Sequence, residues 1–195
     1  MKTLYFITTN KGKVNSVRRV LSKFNIEVIQ ESLEVPEVRK DDSFKEIAIH
    51  KALYAWNKIK KPLIVIDAGL CIPSLNNFPG PYSKYVLEKI GVEGIIKLVE
   101  NKDRYCYFEN VLAYMDSKLK EPKLFSFKIE GTISEKPKGE MKDHFWSEYF
   151  LIFIPKGLDK TLAEMKKEEY ERWRAKLYEK SYLTEFGEWF SKRET

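Results

Sequence analysis

The sequence predicts an α/β protein with a long mixed sheet flanked by helices, and two patterns carry that prediction. Strand-like and helix-like stretches alternate through the first half, which builds parallel strand pairs. Two long strand-like runs stand side by side in the second half, which builds antiparallel ones. Composition agrees: of 195 residues 43% are hydrophobic and 14% aromatic, enough for one well-buried domain without disulfide or metal staples.

Taken in order, the run "LYFIT" at 4–8 reads as the first strand, and the helix after it places Val14, Val17, Leu21 and Phe24 on one face. "IEVIQ" follows as a strand. A second helix over about 42–60 precedes the apolar strand "LIVID" at 63–67, which is expected to end at Asp67, before the small residues Ala68 and Gly69. The turn-rich "NNFPGPYS" leads into a helix carrying Ile95, Ile96, Leu98 and Val99. "RYCYFENVLAYM" and "KLFSFKIEGTIS" are the two long strands, and "EYFLIFIP" is one more. A helix from about 168, with Tyr170, Trp173 and Leu177 at helical spacing, closes the chain. No repeat, low-complexity tract or linker interrupts it, so residues 1–195 are assigned to a single domain.

The net charge of +6, from 35 basic and 29 acidic residues, favours anionic partners. Both signs are mixed along the chain, which points to ordinary solvated faces. Nucleic acid is therefore a weak candidate partner, and in the basic, aromatic "YERWRAKLYEK" core packing of Trp173 and Leu177 is the favoured reading. Cys71 and Cys106 stand far apart, with neither metal-ligand spacing nor a disulfide framework. That usage, with no signal pattern and no bilayer-length apolar run, leads to the expectation of a cytoplasmic protein without membrane contact.

Chemistry-bearing residues cluster at a few points. "TTNKGK" at 8–13 lies where a strand ends and a helix begins. Thr8, Thr9 or Asn10 can cap the helix, which needs only one of them; the surplus N–H donors, with Lys11 and Lys13 beside them, also suit an anion such as phosphate. On the second helix Phe44, Ile47, Ala48, Ala55, Trp56 and Ile59 form an inward stripe with Lys51 in its middle. That lysine either snorkels to water or meets an anion, a carboxylate or a bound phosphate. Asp67 is a carboxylate able to hold a hard cation or to cap its own turn, and Glu37 is a second one just before the Lys51 helix. Together these residues are what a magnesium-dependent reaction on phosphates requires. Gly80, Ser83 and Lys84 read as a structural turn with a hydroxyl and a cation. Nothing places His50 and His144 near a serine or cysteine nucleophile, and they read as surface or hydrogen-bonded histidines.

These stretches resemble the inosine triphosphate pyrophosphatases, also called Ham1-like proteins, in an archaeal-looking version. "TTNKGKV" is similar to that family's T-G-N-x-x-K opening, "VPEVRKDDSFKEIAIHKA" to its P-E…E-x-A-x-x-K-A segment, and "VIDAGLCIPSLNNFPGPYSKYV" to its D-S-G…N-G-x-P-G-x-Y-S stretch. "IGVEGIIKLVENKDRYCYFENVLAYMD" and "IFIP…KTLAEM" extend the likeness through most of the chain. The resemblance implies an elongated mixed sheet forming two lobes around a cleft, usually in a homodimer. It implies hydrolysis of nucleoside triphosphates, inosine and xanthosine forms by preference, to monophosphate and pyrophosphate with Mg2+. It assigns Thr8, Thr9, Asn10, Lys13, Lys51, Ser83 and Tyr149 to substrate, Glu37 and Asp67 to magnesium, and catalysis to Asp67 and Lys51.

Departures from the family pattern are equally specific. Ile66 stands where the family has an acid, Ala68 where it has a serine and Ser16 where it has a glutamate. The purine-binding F-x-Y-D appears as "SEYF", keeping Tyr149; Arg174, Ala175 and Lys176 replace the base-reading S-H-R triplet, and Tyr170 replaces a lysine. A site that has lost its buried donors discriminates bases less or differently, so altered base preference is expected. The alternative is a catalytically degenerate member that binds nucleotide or a protein partner.

Overall fold

The computed structural model describes residues 1–36, 43–142 and 145–193. Strand β1 (Lys2–Ile7) leads into helix α1 (Lys11–Leu21), then β2 (Ile26–Glu31), α2 (Phe44–Ile59) and β3 (Leu63–Ile72). Next come a two-residue strand β4 (Phe78–Pro79), helix α3 (Ser83–Leu98), the long strands β5 (Tyr105–Met115) and β6 (Lys123–Ile133), and a short β7 (Phe153–Pro155). Helices α4 (Lys167–Tyr178) and α5 (Tyr182–Lys192) follow. The sheet runs β2-β1-β3-β5-β6-β7, with β4 on β3, and is mixed: β1 is parallel to β2 and β3, whereas β4 and β7 are antiparallel to their neighbours.

The chain divides into two compact units. The first comprises Met1–Asp67, Asn110–Phe127 and Ala175–Thr195, and the second Ala68–Glu109 and Lys128–Arg174. Each has its own apolar core. In the first, Leu4 and Phe6 of β1, Val14 and Val17 of α1, Ile64 of β3, Leu112 and Tyr114 of β5, and Leu183, Phe186 and Phe190 of α5 pack together. In the second, Leu70 and Ile72 of β3, Ile95 and Val99, and Cys106 and Phe108 of β5 meet an aromatic group that includes Phe145, Tyr149, Phe150, Phe153 and Tyr170.

Local chemistry explains the boundaries near the site. Asn10 is extended, and its side chain accepts from the Lys13 N–H, which starts α1. Asn25 and Lys60, both left-handed, close the segments after α1 and α2. Three expectations are corrected. β3 does not end at Asp67 but runs on to Ile72, because "GLCI" is as buried as "LIV" and Asp67 stands in the middle of one strand. "EYFLIFIP" is not a strand throughout: Glu148–Leu151 form a 3-10 turn, capped by the Ser147 hydroxyl, before β7. The closing helix is two helices, because the hydroxyls of Ser181 and Thr184 both donate to the Tyr178 carbonyl and end α4 there.

Candidate active site

Lys13, Lys51 and Asp67 meet at the middle of β3. Its residues Ile66, Asp67 and Ala68 are half-buried, between fully buried stretches on either side. Among the described residues β1 pairs with β3 at Leu63 and Ile64, and β4 at Cys71 and Ile72, and side chains serve the backbone edge between those pairings. The Lys13 ammonium donates to the Ile66 carbonyl at 3.3 Å, and the Ser83 hydroxyl accepts from the Leu70 N–H at 2.8 Å.

The loop 8–10 is built from its own hydrogen bonds. Thr8 Oγ1 accepts from the Asn10 N–H at 3.1 Å, Asn10 Oδ1 accepts from the Lys13 N–H at 3.0 Å, and Gln30 holds the Thr8 carbonyl at 2.9 Å. Asn10 is thus the cap, and Thr9 is exposed. The first turn of α1 carries Lys11 and Lys13 and no acid, the reverse of what the positive end of a helix dipole favours. A bound anion would offset that arrangement.

Alternation along β3 sends Ile64 and Ile66 to the α1 side and Asp67 to the other, where α2 lies. There Lys51 Nζ meets Asp67 Oδ1 at 2.6 Å, with the side chains 28% and 14% exposed. Of the two readings for the inward lysine, contact with a carboxylate is therefore the one observed. Lys13 senses the same pair. Burial of its ammonium lowers its pKa below the usual lysine value, the Asp67 charge opposes that shift, and the Lys51 charge adds to it. The corner thus brings two ammoniums near the Asp67 carboxylate.

Thr8, Asn10, Lys13, Lys51 and Asp67 all belong to the first unit. Ser83 and Tyr149 belong to the second, and both are committed to the protein itself. The Ser83 hydroxyl donates to the Gly80 carbonyl at 2.6 Å, and the Tyr149 hydroxyl donates to the Ser83 carbonyl at 2.8 Å. Burial raises the Tyr149 pKa, and the bond to Ser83 opposes the shift. Glu37 and His144 lie outside the described residues, and His50 is exposed. Among the described residues no three His, Cys, Asp or Glu side chains form a metal-holding group.

Substituted family positions have become packing. Phe150 lies with Phe145 and Trp146 at ring-centroid distances of 5.3 and 5.1 Å, and Tyr170 lies 5.1 Å from Phe145. Arg174 is buried with its guanidinium 5.7 Å from the Tyr170 ring, while Ala175 and Lys176 are exposed. One polar residue had no place in the sequence-based site. Asn110, an amide in the largely apolar "FENVLAYM", is buried on β5, whereas its neighbour Glu109 is half-buried, and an amide in such a stretch is the signal that could have marked it.

Comparison with known proteins agrees with this architecture. Residues 4–176 match the model of the Ham1 family. A dITP/XTP pyrophosphatase of Methanopyrus kandleri is 41% identical over 192 residues, covering 97% of this chain and 96% of that one. Its namesakes from Thermococcus kodakarensis and Methanosarcina acetivorans are 35% and 37% identical, over 95% and 99% of this chain and 96% and 100% of theirs. Among solved structures, a HAM1 protein from Coxiella burnetii superimposes with a TM-score of 0.80 over 99% of this chain and all of its own, and at 24% identity it speaks for the fold alone. The Staphylococcus aureus Ham1 protein gives 0.69 at 28% identity, over 92% of this chain and 100% of that one. With a match through most of its length and near full-length relatives at more than a third identity, this chain belongs to the Ham1 family.

Proposed function

We propose that this protein hydrolyses nucleoside triphosphates to the monophosphate and pyrophosphate. The observation that carries the proposal is the Lys51–Asp67 pair with the Lys13 ammonium beside it, in a chain whose curated relatives are named dITP/XTP pyrophosphatases. Loop 8–10 and the first turn of α1 present backbone N–H groups and lysines to the phosphates. Lys51 and Lys13 neutralise charge on the phosphate oxygens, and Asp67 orients the attacking water and accepts its proton. Attack at the α-phosphorus breaks its bond to the bridging oxygen, and pyrophosphate leaves.

Magnesium is proposed as the cofactor. It takes one or two protein carboxylates and completes its shell with substrate oxygens and water, so a site offering Asp67 fits without a cluster of acids. Glu37 is the proposed second ligand. When bound, the ion supplies charge neutralisation on the triphosphate.

The aromatic packing of Phe150 and Tyr170 supports an altered base preference, because rings occupy positions where the family pattern has an aspartate and a lysine. A homodimer is the proposed assembly. Phe78, Tyr82, Tyr85 and Ile90 are 36–59% exposed, an apolar share that a second copy could cover. The cytoplasm is the proposed location, and among the described residues no helix is long and apolar enough to cross a membrane.

The direct experiment incubates the protein with magnesium and a panel including dITP, XTP and the four standard triphosphates, and measures pyrophosphate. Release from at least one of them is expected, and Asp67→Asn should lower kcat/KM about 10³-fold. No release from any member of the panel would overturn the enzymatic proposal and leave the non-catalytic binding role, which the loss of an acid at Ile66 favours.

A further inference from the structure

Residues 47–66 carry four lysines and no acid, in a chain that elsewhere mixes both signs. Three of them, Lys58, Lys60 and Lys61, crowd the end of α2, and all three are exposed. Among the described residues no carboxylate pairs with any of them. The negative end of α2 accounts for part of this enrichment, since a helix dipole amounts to about half a charge at its last turn. Three ammoniums exceed that about six-fold.

What surrounds these ammoniums is aromatic. Lys58 Nζ lies 5.6 Å from the Tyr54 ring centroid, Lys60 Nζ 5.3 Å from that of Trp56 and Lys61 Nζ 4.6 Å from that of Tyr5, all within cation–π range. Lys60 also donates to Asn57 Oδ1 and Lys61 to the Tyr5 hydroxyl, each at 3.2 Å, which leaves donors on both ammoniums for water or a ligand. Tyr5 comes from β1, yet its N–H donates to the Pro62 carbonyl at 2.9 Å and it stands in register with Leu63, so it is tied to the turn after α2. Tyr54 and Trp56 are two residues apart, about 200° around the helix, and so flank its end on two sides. All three rings are half-buried, fixed by the fold and still partly open to solvent. Every one of these residues belongs to the first unit.

We propose that the end of α2 is a binding surface for single-stranded nucleic acid, with bases against Tyr5, Tyr54 and Trp56 and phosphates on Lys58, Lys60 and Lys61. Ammoniums set beside open rings are the combination such strands use, because every base has a π-face and every nucleotide a charge. A bilayer surface fits less well. Among the described residues of the first unit, Met1 is the exposed large apolar side chain that could enter one. The inference is independent of the pyrophosphatase reading, since none of these residues belongs to the proposed catalytic site.

The test uses a 3′-labelled, 5′-hydroxyl 12-mer of deoxythymidine in EDTA, which offers the catalytic site neither a triphosphate nor magnesium. Fluorescence anisotropy should show binding in 50 mM salt, and log K should fall against log salt with a slope of about −2, the value for three single-strand phosphate contacts. Lys58→Gln, Lys60→Gln and Lys61→Gln together should weaken binding ~10-fold or more and flatten that slope, while pyrophosphate release from an accepted triphosphate stays at the wild-type rate. In the unsubstituted protein, the assigned indole 15N–1H signal of Trp56 should shift on addition of the oligomer, a readout that needs no variant to fold. No binding in 50 mM salt, an unshifted Trp56 signal, or binding that the triple variant retains would overturn the inference. So would dTMP displacing the oligomer at equal phosphate concentration, the mark of a mononucleotide site, or binding of phosphatidylserine vesicles in place of the oligomer. A protein that binds the oligomer but turns over no triphosphate loses the pyrophosphatase reading and keeps this one.

Discussion

Asp116 shows how much a single buried carboxylate can hold. It accepts from Arg193 through both oxygens at 2.9 and 3.0 Å, from the Tyr114 hydroxyl at 2.7 Å and from the Lys118 N–H at 2.9 Å. Burial pushes its pKa up, but these donors outweigh burial and hold it below the usual aspartate range. Asp116→Asn should cost ~2–3 kcal/mol at neutral pH, because Arg193 is left without its counter-charge. A carboxylate with a depressed folded pKa contributes its stability above about pH 4, its unfolded value, and loses it as pH falls through the folded one. The denaturation curves of wild type and variant should therefore converge in strong acid, and urea titrations across pH will check it. Tyr149 supports a second prediction at this scale. Its hydroxyl serves the Ser83 carbonyl 66 residues away, so Tyr149→Phe should lower stability by ~1 kcal/mol and leave KM unmoved. A raised KM at unchanged stability would return Tyr149 to the substrate.

Among elements, α5 and the 3-10 turn Ser22–Phe24 approach closely at a glycine. A Cβ on Gly187 would lie 2.4 Å from the Phe24 ring, so Gly187→Ala should destabilise by ~1–3 kcal/mol and lower Tm by several degrees. α1 was legible because its cap and its Val14, Val17, Leu21 face are local features. The Lys51–Asp67 pair was legible in part: a lysine in an apolar stripe needs a partner, and Asp67 was one of two carboxylates in reach. Its place within β3 was hidden, since Ala68 and Gly69 look like a turn until the burial of Leu70, Cys71 and Ile72 carries the strand past them. The split of "EYFLIFIP" goes with the Ser147 cap and, beside it, a distant bond from Tyr149, and the gap between α4 and α5 contains neither glycine nor proline. Two hydroxyls on one carbonyl make that break, which composition does not announce. Asn110 was legible only as an amide in a largely apolar strand, because a missing partner is a property of the folded neighbourhood.

At the scale of the whole molecule, neither unit is a continuous stretch of chain. The first takes three segments and the second two, so strands β3, β5 and β6 each contribute to both. α5 supplies Leu183, Phe186 and Phe190 to a core that begins at Leu4. Deleting residues 182–193 should therefore unfold the first unit despite leaving every proposed site residue in place, with loss of near-ultraviolet circular dichroism and of tripolyphosphate binding. The same arrangement bears on biosynthesis. On the ribosome, the aromatic cover for β1 is made long after the strand itself, so the greasy underside of β1 stays wet until Phe190 has emerged. A nascent chain halted anywhere before Tyr182 is a natural client for a chaperone that shields apolar surface.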